Sequence, residues 1–247
     1  MKIMTIAGRE LRGLFFSPLA WVVLGLSQLL LAFLLLGRIE QFAEIQSQLA
    51  ALPGAPGATQ LVALPTLDNA VMLLLLIVPL LTMRSVSEER RSQVLPLLLA
   101  SPVSLSEIVL GKFLGLALFL LLLVLLSAAL PLSLLPATEL DLGHLAAATL
   151  GLALLALAFA ALGLWLSTLT AHPAVAAGAT FVLLLLLWSL DLAVHDEARF
   201  LPMLSMARHH APFAQGLIDS TALLYFGLVI ATGLALAIHR LDRERLR

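Results

Sequence analysis

Long apolar stretches separated by short polar segments run along most of the chain. Five of them are bounded by charged or histidine side chains and are long enough to cross a bilayer, which takes about 17–25 mainly apolar residues. They lie at about residues 17–37, 113–136, 145–170, 173–190 and 220–238. Each is a near-continuous run of Leu, Ala and Val without strict alternation, so the pattern predicts membrane-spanning helices and not barrel strands.

A sixth span is less cleanly bounded. Asp68 and Arg84 enclose a stretch that is short for a span, but the apolar run continues upstream over residues 61–67, so we place the span at about 63–83. Asp68 then lies near one end, either as a solvated helix end or as a polar residue that faces a pathway. The pattern predicts an all-α integral membrane protein with six transmembrane helices in one membrane domain, residues 1–247.

The overall composition agrees with a membrane location and excludes several function classes. Hydrophobic residues make up 61% of the chain and charged residues 12%, against about 25% charged residues in soluble domains. The net charge is −1, so no basic field favours nucleic acid as a partner. The chain has no cysteine, which excludes thiolate chemistry.

Lysine and arginine are distributed unequally between the two ends of the spans. Most of them fall on the face that carries both chain termini: Lys2, Arg9, Arg12, Arg84, Arg90, Arg91, Lys112, Arg240, Arg243, Arg245 and Arg247. The other three are Arg38, Arg199 and Arg208. Because basic residues are retained on the cytoplasmic side, the asymmetry predicts that both termini are cytoplasmic.

Residues 1–16 are too charged to span the bilayer. Their apolar residues recur at helical spacing, while Arg9 and Arg12 lie elsewhere on the helical wheel. This pattern predicts an amphipathic elbow helix that lies in the membrane interface and turns into the first span at Ser17 and Pro18.

The longest segment on the basic face, residues 84–112, contains an acidic–basic cluster, Glu88, Glu89, Arg90 and Arg91. Further along, Ser104 and Glu107 have the spacing of a capping box at the start of a new helix. Between them, the apolar stretch 94–100 is too short to cross a membrane, so it must lie in the interface, pack under the helices or contact a partner. The charged cluster is either a coupling surface or a solvated, self-paired helix end.

Motifs for catalysis are not found in the sequence. Gly111-Lys112 is followed by Phe113 and lacks the upstream glycine of a phosphate-binding loop, so the chain cannot hydrolyse ATP alone. His195, His209 and His210 have no standard metal-site spacing with Asp196 or Glu197. We expect solvated histidines in the outer loop, and no metal site.

Several motifs resemble one family in their order and spacing. They are Glu88-Glu-Arg-Arg91, Ser101-Pro-Val-Ser104, Glu107-Ile-Val-Leu-Gly-Lys-Phe113, Phe16-Ser-Pro-Leu-Ala-Trp-Val-Val23, Leu162–Thr170 and Phe213–Asp219. Together they resemble the permeases of type-2 ATP-binding-cassette (ABC) exporters, most of all the gliding-motility subgroup. That subgroup has Gly-Thr after the basic pair, whereas this chain has Ser92-Gln93.

The resemblance implies a permease of a bacterial-type cytoplasmic (inner) membrane, without enzymatic activity of its own. Its expected partners are the lipid bilayer, two ABC ATPase subunits that bind ATP and Mg, and a second permease. That permease is the same chain or a related one, which can be fused to an extracytoplasmic domain. No cofactor is expected on this chain.

The resemblance also assigns roles to particular residues. The expected ATPase-coupling residues are Glu88, Glu89, Arg90, Arg91, Ser101, Pro102, Glu107, Gly111 and Lys112. The elbow residues are Arg9, Arg12, Ser17 and Pro18. In the outer loop, 191–219, the resemblance implies short re-entrant helices, for which 200–207 and 211–218 are apolar enough, with Phe213, Gly216 and Asp219 as the residues of interest.

The leading hypothesis is ATP-driven export. One alternative is mechanotransmission to an extracytoplasmic partner without a transported substrate. A third hypothesis is a membrane enzyme that uses the outer histidines. A further one is a scaffold. The sequence does not distinguish between a lipid, a polymer, a protein-like cargo and no substrate at all.

Overall fold

The computed structural model describes residues 2–49, 56–93, 104–193 and 201–245, and nearly all of them are helical. Within this part of the chain, six helices are long and apolar enough to cross a membrane. The prediction of an all-α protein with six spans is therefore confirmed.

The helices follow one another with short connections. Their bounds are α1 (Lys2–Phe16), α2 (Pro18–Leu49), α3 (Leu64–Thr82), α4 (Glu89–Arg91), α5 (Leu105–Leu132), α6 (Leu142–Leu169), α7 (Pro173–Ala193), α8 (Met206–Ala214) and α9 (Ser220–Arg245). Wider π-helical turns at Thr59–Ala63 and Arg84–Glu88 extend α3 at both ends, so the second span is one continuous helical run, Thr59–Arg91.

The bundle has two chemically different ends. The end formed by α1, by residues 84–93 and by the C-terminal part of α9 carries most of the described basic residues, and we call it the basic end. At the opposite end, the backbone N–H of Asp141 donates to Thr59 Oγ1 at 2.9 Å, which joins the start of the second span to the start of α6.

Helix α6 forms the centre of the bundle and packs against α3, α5, α7, α8 and α9. Its small residues allow close approach: a Cβ added at Gly233 of α9 would lie 3.0 Å from the Ala161 carbonyl carbon of α6. Phe159 and Leu155, also on α6, are completely buried. Close packing of small residues is the usual means by which helices associate in lipid.

The outer helices α2, α7 and α9 expose much of their apolar surface. Phe33, Val182 and Leu224 are each at least 60% exposed. In a bilayer these side chains contact lipid or another membrane protein, so their exposure costs little there.

Several helices extend beyond the predicted spans; α9, for example, continues past residue 238 to Arg245. Helix α5 begins at Leu105, ahead of the predicted residue 113, because Ser104 and Glu107 form the predicted capping box. Helix α2 continues past Arg38 to Leu49.

The outer segment contains short helices at Leu201–Leu204 and at α8, not at 200–207 and 211–218. Ser205 separates the two, because its hydroxyl accepts from the backbone N–H of Arg208 and so caps α8. Gly216 follows the end of α8 with a φ of 78°, a conformation suited to glycine.

Candidate functional site at the basic end

The N-terminal helix packs closely on α5 at the basic end. A Cβ added at Gly111 would lie 2.6 Å from Ile6 Cβ, and one added at Gly115 would lie 2.7 Å from Glu10 Cβ and 3.1 Å from the Ala7 carbonyl oxygen. Glycines four residues apart lie on one face of a helix, and here they form the surface that receives α1. Gly111, expected as a coupling residue, is therefore a packing residue in this structure.

Lys112, next to this surface, is 1% exposed. Its ammonium group donates to Glu10 Oε1 at 2.7 Å, to Glu89 Oε1 at 2.7 Å and to the Ser85 carbonyl oxygen at 2.8 Å. An ammonium group has three N–H donors, so all three are used. We call Glu10, Ser85, Glu89 and Lys112 the lysine junction.

The lysine junction joins three elements that are far apart in sequence: α1, the end of the second span and the start of α5. Two carboxylates share one ammonium group, and Arg9 lies 3.6 Å from Glu10 and 3.8 Å from Glu89. Since a buried charge is tolerated only when it is paired and hydrogen-bonded, each member depends on the others. The lysine junction therefore holds residues 84–91 against α1 and α5.

Ser167 of α6 supports the π-helical turn Arg84–Glu88. Its hydroxyl oxygen accepts from the backbone N–H groups of Val86 at 3.2 Å and of Ser87 at 3.1 Å. Both residues are buried. A wide turn disrupts the regular ladder of backbone hydrogen bonds, and the serine supplies an acceptor from a neighbouring helix.

Arg90 lies beside Glu89 but turns to a different set of partners. Its Nη2 atom donates to the Thr168 carbonyl oxygen at 2.7 Å and to both carboxylate oxygens of Glu244 at 2.7 Å. Arg240 lies 3.6 Å from the same carboxylate. These residues, the arginine junction (Arg90, Thr168, Arg240 and Glu244), connect the end of the second span to α6 and α9.

The structure thus divides the predicted acidic–basic cluster. Glu89 and Arg90 belong to two different junctions, whereas Arg91 is exposed and Glu88 is 56% exposed. Glu88 faces Arg84 at 3.8 Å, and Arg84 donates to Ser17 Oγ at 3.2 Å. Self-pairing within the cluster does not describe Glu89 and Arg90, which are held by other helices.

Other predicted residues have local structural contacts. Ser17 lies between α1 and α2, Pro18 is the first residue of α2, and Arg12 is exposed on α1. Glu107 serves the helix cap, where its carboxylate accepts from the backbone N–H of Ser104 at 2.9 Å. Ser101, Pro102 and the apolar stretch 94–100 lie outside the described residues.

At the opposite end, α8 packs against α6. A Cβ added at Gly151 would overlap Phe213 Cβ, and one added at Gly216 would lie 2.8 Å from the His144 ring. Asp219 accepts from the backbone N–H of Thr221 at 3.0 Å at the start of α9. Phe213 and Gly216 therefore pack the outer segment against α6, and Asp219 caps the start of α9.

The outer histidines have separate packing partners. The ring of His209 stacks on Tyr225 with centroids 3.8 Å apart, while His210 packs against Trp188. Burial lowers the pKa of His210 to about 4, so its ring is neutral near pH 7. Among the described residues there is no group of three or more His, Cys, Asp or Glu that could hold a metal ion. His195, Asp196 and Glu197 lie outside them.

No role was predicted for Glu10, Thr168 and Glu244, which belong to the two junctions, or for Ser167, which supports the π-helical turn. Glu10 could have been singled out from the sequence, because it is the single acidic residue in α1. The pairing of Arg90 with Glu244, 154 positions away, has no local pattern that could reveal it.

Comparison with known protein families gives a match that covers most of the spans. Residues 16–192, more than two thirds of the chain, match the family model described as ABC-2 family transporter protein. A search of curated proteins gives no match. Glu10 and Glu244, each a member of one junction, lie outside the matched region.

Proposed function

The chain belongs to the ABC-2 family of transporters, and we propose that it is an export permease driven by closure of partner ATPase subunits. As a member of this family, it is the multi-pass membrane permease component of an ABC transporter and is not itself catalytic. It associates with an ABC ATPase in the membrane. The direction of transport and the route by which force reaches the helices are the proposal.

The route of force is proposed to begin at residues 84–112. One observation carries this assignment: Glu89 and Arg90, adjacent in sequence, are each held by a different set of helices. A push on this segment reaches α1 and α5 through Lys112, reaches α6 through the Thr168 carbonyl oxygen and reaches α9 through Glu244. The contact surface for the ATPase is then the exposed side of the segment, including Glu88 and Arg91.

The proposed orientation places the basic end in the cytoplasm. Eleven of the fourteen Lys and Arg residues belong to this face by the spans, and positive residues are retained on the cytoplasmic side. An inner membrane of the bacterial type and the gliding-motility subgroup are part of the same proposal, supported by the order and spacing of the sequence motifs.

The substrate pathway is proposed to form between two permeases. Several buried hydroxyl groups within the described spans donate to carbonyl oxygens of their own helix: Thr66 to Val62, and Thr180 to Ala176. Polar groups satisfied in this way do not form a hydrophilic route through one chain. We therefore propose a second permease, identical or related, and two ATPase subunits that bind ATP and Mg. The related permease can carry an extracytoplasmic domain.

The same polar-poor interior also suits a second candidate function. In mechanotransmission, ATP-driven motion of the helices would act on an extracytoplasmic partner without a cargo. The two functions differ in one observable. In mechanotransmission, ATP-driven motion reaches the extracytoplasmic partner even when no substrate is present. In export, that transmission depends on a substrate.

Purification of the tagged full chain from its native membrane in mild detergent tests the proposal. We expect a co-purifying protein with a phosphate-binding loop, together with vanadate-sensitive ATP hydrolysis. Exchanging Glu88 for Lys should reduce the coupling of hydrolysis to transport while the helices stay folded, because Glu88 is exposed. Isolation of the chain without ATPase activity in several detergents, or normal transport by the Glu88→Lys variant, would count against the assignment.

A further inference from the structure

A cavity of about 360 Å³ lies at the basic end, between α1, the start of α2 and the end of the second span. Two guanidinium groups, Arg9 and Arg84, and the Ser17 hydroxyl line one part of it. Four leucines also line it: Leu14 and Leu19 are partly exposed, whereas Leu81 and Leu116 are buried. The cavity therefore offers hydrogen-bond donors beside an apolar wall.

The guanidinium groups in this cavity have donors to spare. Arg84 uses one N–H in its hydrogen bond to Ser17 Oγ. Toward carboxylates, Arg9 lies 3.6 Å and 3.8 Å from its neighbours, and Arg84 lies 3.8 Å from Glu88. These separations exceed those of N–H···O hydrogen bonds, which fall at about 2.7–3.2 Å. Lys112, by contrast, uses every donor at 2.7–2.8 Å. An arginine fork with free donors matches the oxygens of a phosphate group.

The charges around the cavity balance. Arg9 and Arg84 face Glu10, Glu88 and Glu89 in the lining, and Lys112 adds a positive charge through its contacts with Glu10 and Glu89. A neutral site with both signs of charge favours a zwitterionic ligand over an anion. Glu88, 56% exposed, is available to accept from an ammonium group.

The cavity's position decides the source of such a ligand. It lies at the end of the spans, where the charged side chains of α1 meet apolar surface, which is the depth of lipid headgroups for an interfacial amphipathic helix. We propose that this cavity binds a phosphatidylethanolamine-type lipid. Its phosphodiester contacts Arg9, Arg84 and Ser17, its ammonium group contacts Glu88, and its acyl chains lie against the leucine wall. The site does not depend on the transport direction, and it shares Glu88 with the proposed ATPase contact surface.

The first test measures lipid retention by the full chain. The protein is delipidated in detergent, exposed to nanodiscs of phosphatidylethanolamine, phosphatidylglycerol or phosphatidylcholine, and analysed by native mass spectrometry. We expect the phosphatidylethanolamine adduct to survive best, because choline has no N–H donor and phosphatidylglycerol has no cation. Soluble glycerophosphoethanolamine and inorganic phosphate should not displace the lipid, because neither reaches the leucine wall.

Two glycines of α1 provide a matched pair of variants. Gly13 lines the cavity, and a Cβ added there meets nothing within 4 Å, as at Gly8, which is not among the lining residues. Gly13→Leu should fill the cavity and abolish selective retention, whereas Gly8→Leu should retain the lipid. Both substitutions replace glycine inside a helix with a better helix former, so both variants should fold.

A charge variant provides an independent test of lipid retention. Arg84→Gln should weaken retention of phosphatidylethanolamine about tenfold, the usual effect of losing a charge-assisted hydrogen bond. Arg243→Gln, an exposed change at the same end, is its control. The proposal is wrong if Gly13→Leu retains the lipid as well as Gly8→Leu does, or if the three lipids are retained equally. Displacement by inorganic phosphate would instead indicate a soluble phosphate site and would also overturn it.

Discussion

The ammonium group of Lys112 lies 2.7 Å from Glu10 Oε1, across 102 positions of sequence, and equally close to Glu89 Oε1. This contact fixes the N-terminal helix to the segment that we propose receives force from the ATPase. Because Lys112 is 1% exposed, water cannot take the place of either carboxylate. The lysine junction is therefore a structural connection, and we propose that it is also a mechanical one.

Removing the ammonium group alone should destabilise the protein. Lys112→Met leaves two carboxylates without their shared partner, and we expect a loss of about 2–3 kcal/mol. This is below the range for fully buried pairs because Glu10 and Glu89 are about one fifth exposed. Thermal unfolding in detergent, followed by tryptophan fluorescence, measures the change.

The triple variant Lys112→Met, Glu10→Gln, Glu89→Gln separates stability from coupling. Replacing all the charges together should restore most of the stability, since buried ion sets are often exchangeable for neutral groups. Coupling of hydrolysis to transport should stay impaired. A triple variant that is both stable and normally coupled would limit the lysine junction to a structural role.

The glycine surface of α5 should be sensitive to side-chain size. Gly115→Leu places atoms against Glu10 Cβ and the Ala7 carbonyl oxygen, and we expect a cost of about 1–3 kcal/mol as α1 is displaced. The chain has no cysteine, so Ala7→Cys, buried at 3% exposure, is a clean probe. Its reaction with maleimide should accelerate in the Gly115→Leu background. It should not change with Gly25→Leu, where an added Cβ meets open space.

The arginine junction should show energetic coupling between its two charged partners. Arg90→Gln and Glu244→Gln should each cost about 1.5–3 kcal/mol, as expected for hydrogen bonds to charged groups. The double variant should cost less than the sum of the two. Strict additivity in a double-mutant cycle would show that the pair does not interact, and Arg91→Gln, an exposed change next in sequence, should be near neutral.

Loss of the Ser167 hydroxyl should destabilise the protein, although the side chain is small. Ser167→Ala leaves the buried backbone N–H groups of Val86 and Ser87 without their acceptor, at a cost of about 1–3 kcal/mol. Ser189→Ala removes an exposed hydroxyl that bonds within its own helix, and it should change stability little. Hydrogen exchange at residues 84–88 should increase in the first variant alone.

The six spans and the start of α5 were predictable from the sequence because each rests on local information. Continuous apolar length determines a span, and Ser104 with Glu107 suffices for a helix cap. The two junctions were not predictable, because they depend on which helices meet. Glu89 and Arg90 look alike in sequence as members of one charged cluster, and only the packing of α1, α6 and α9 shows that they have opposite partners.

A photocrosslinking amino acid placed at two exposed positions tests the central claim most directly. Ser92 lies next to the junction residues at the basic end, and Ile218 lies in the outer segment with 60% exposure. In cells that express the whole complex, the probe at Ser92 should crosslink to a protein with a phosphate-binding loop, and the probe at Ile218 should not. A crosslink to that ATPase from Ile218 and none from Ser92 would contradict both the orientation and the coupling surface proposed for this permease.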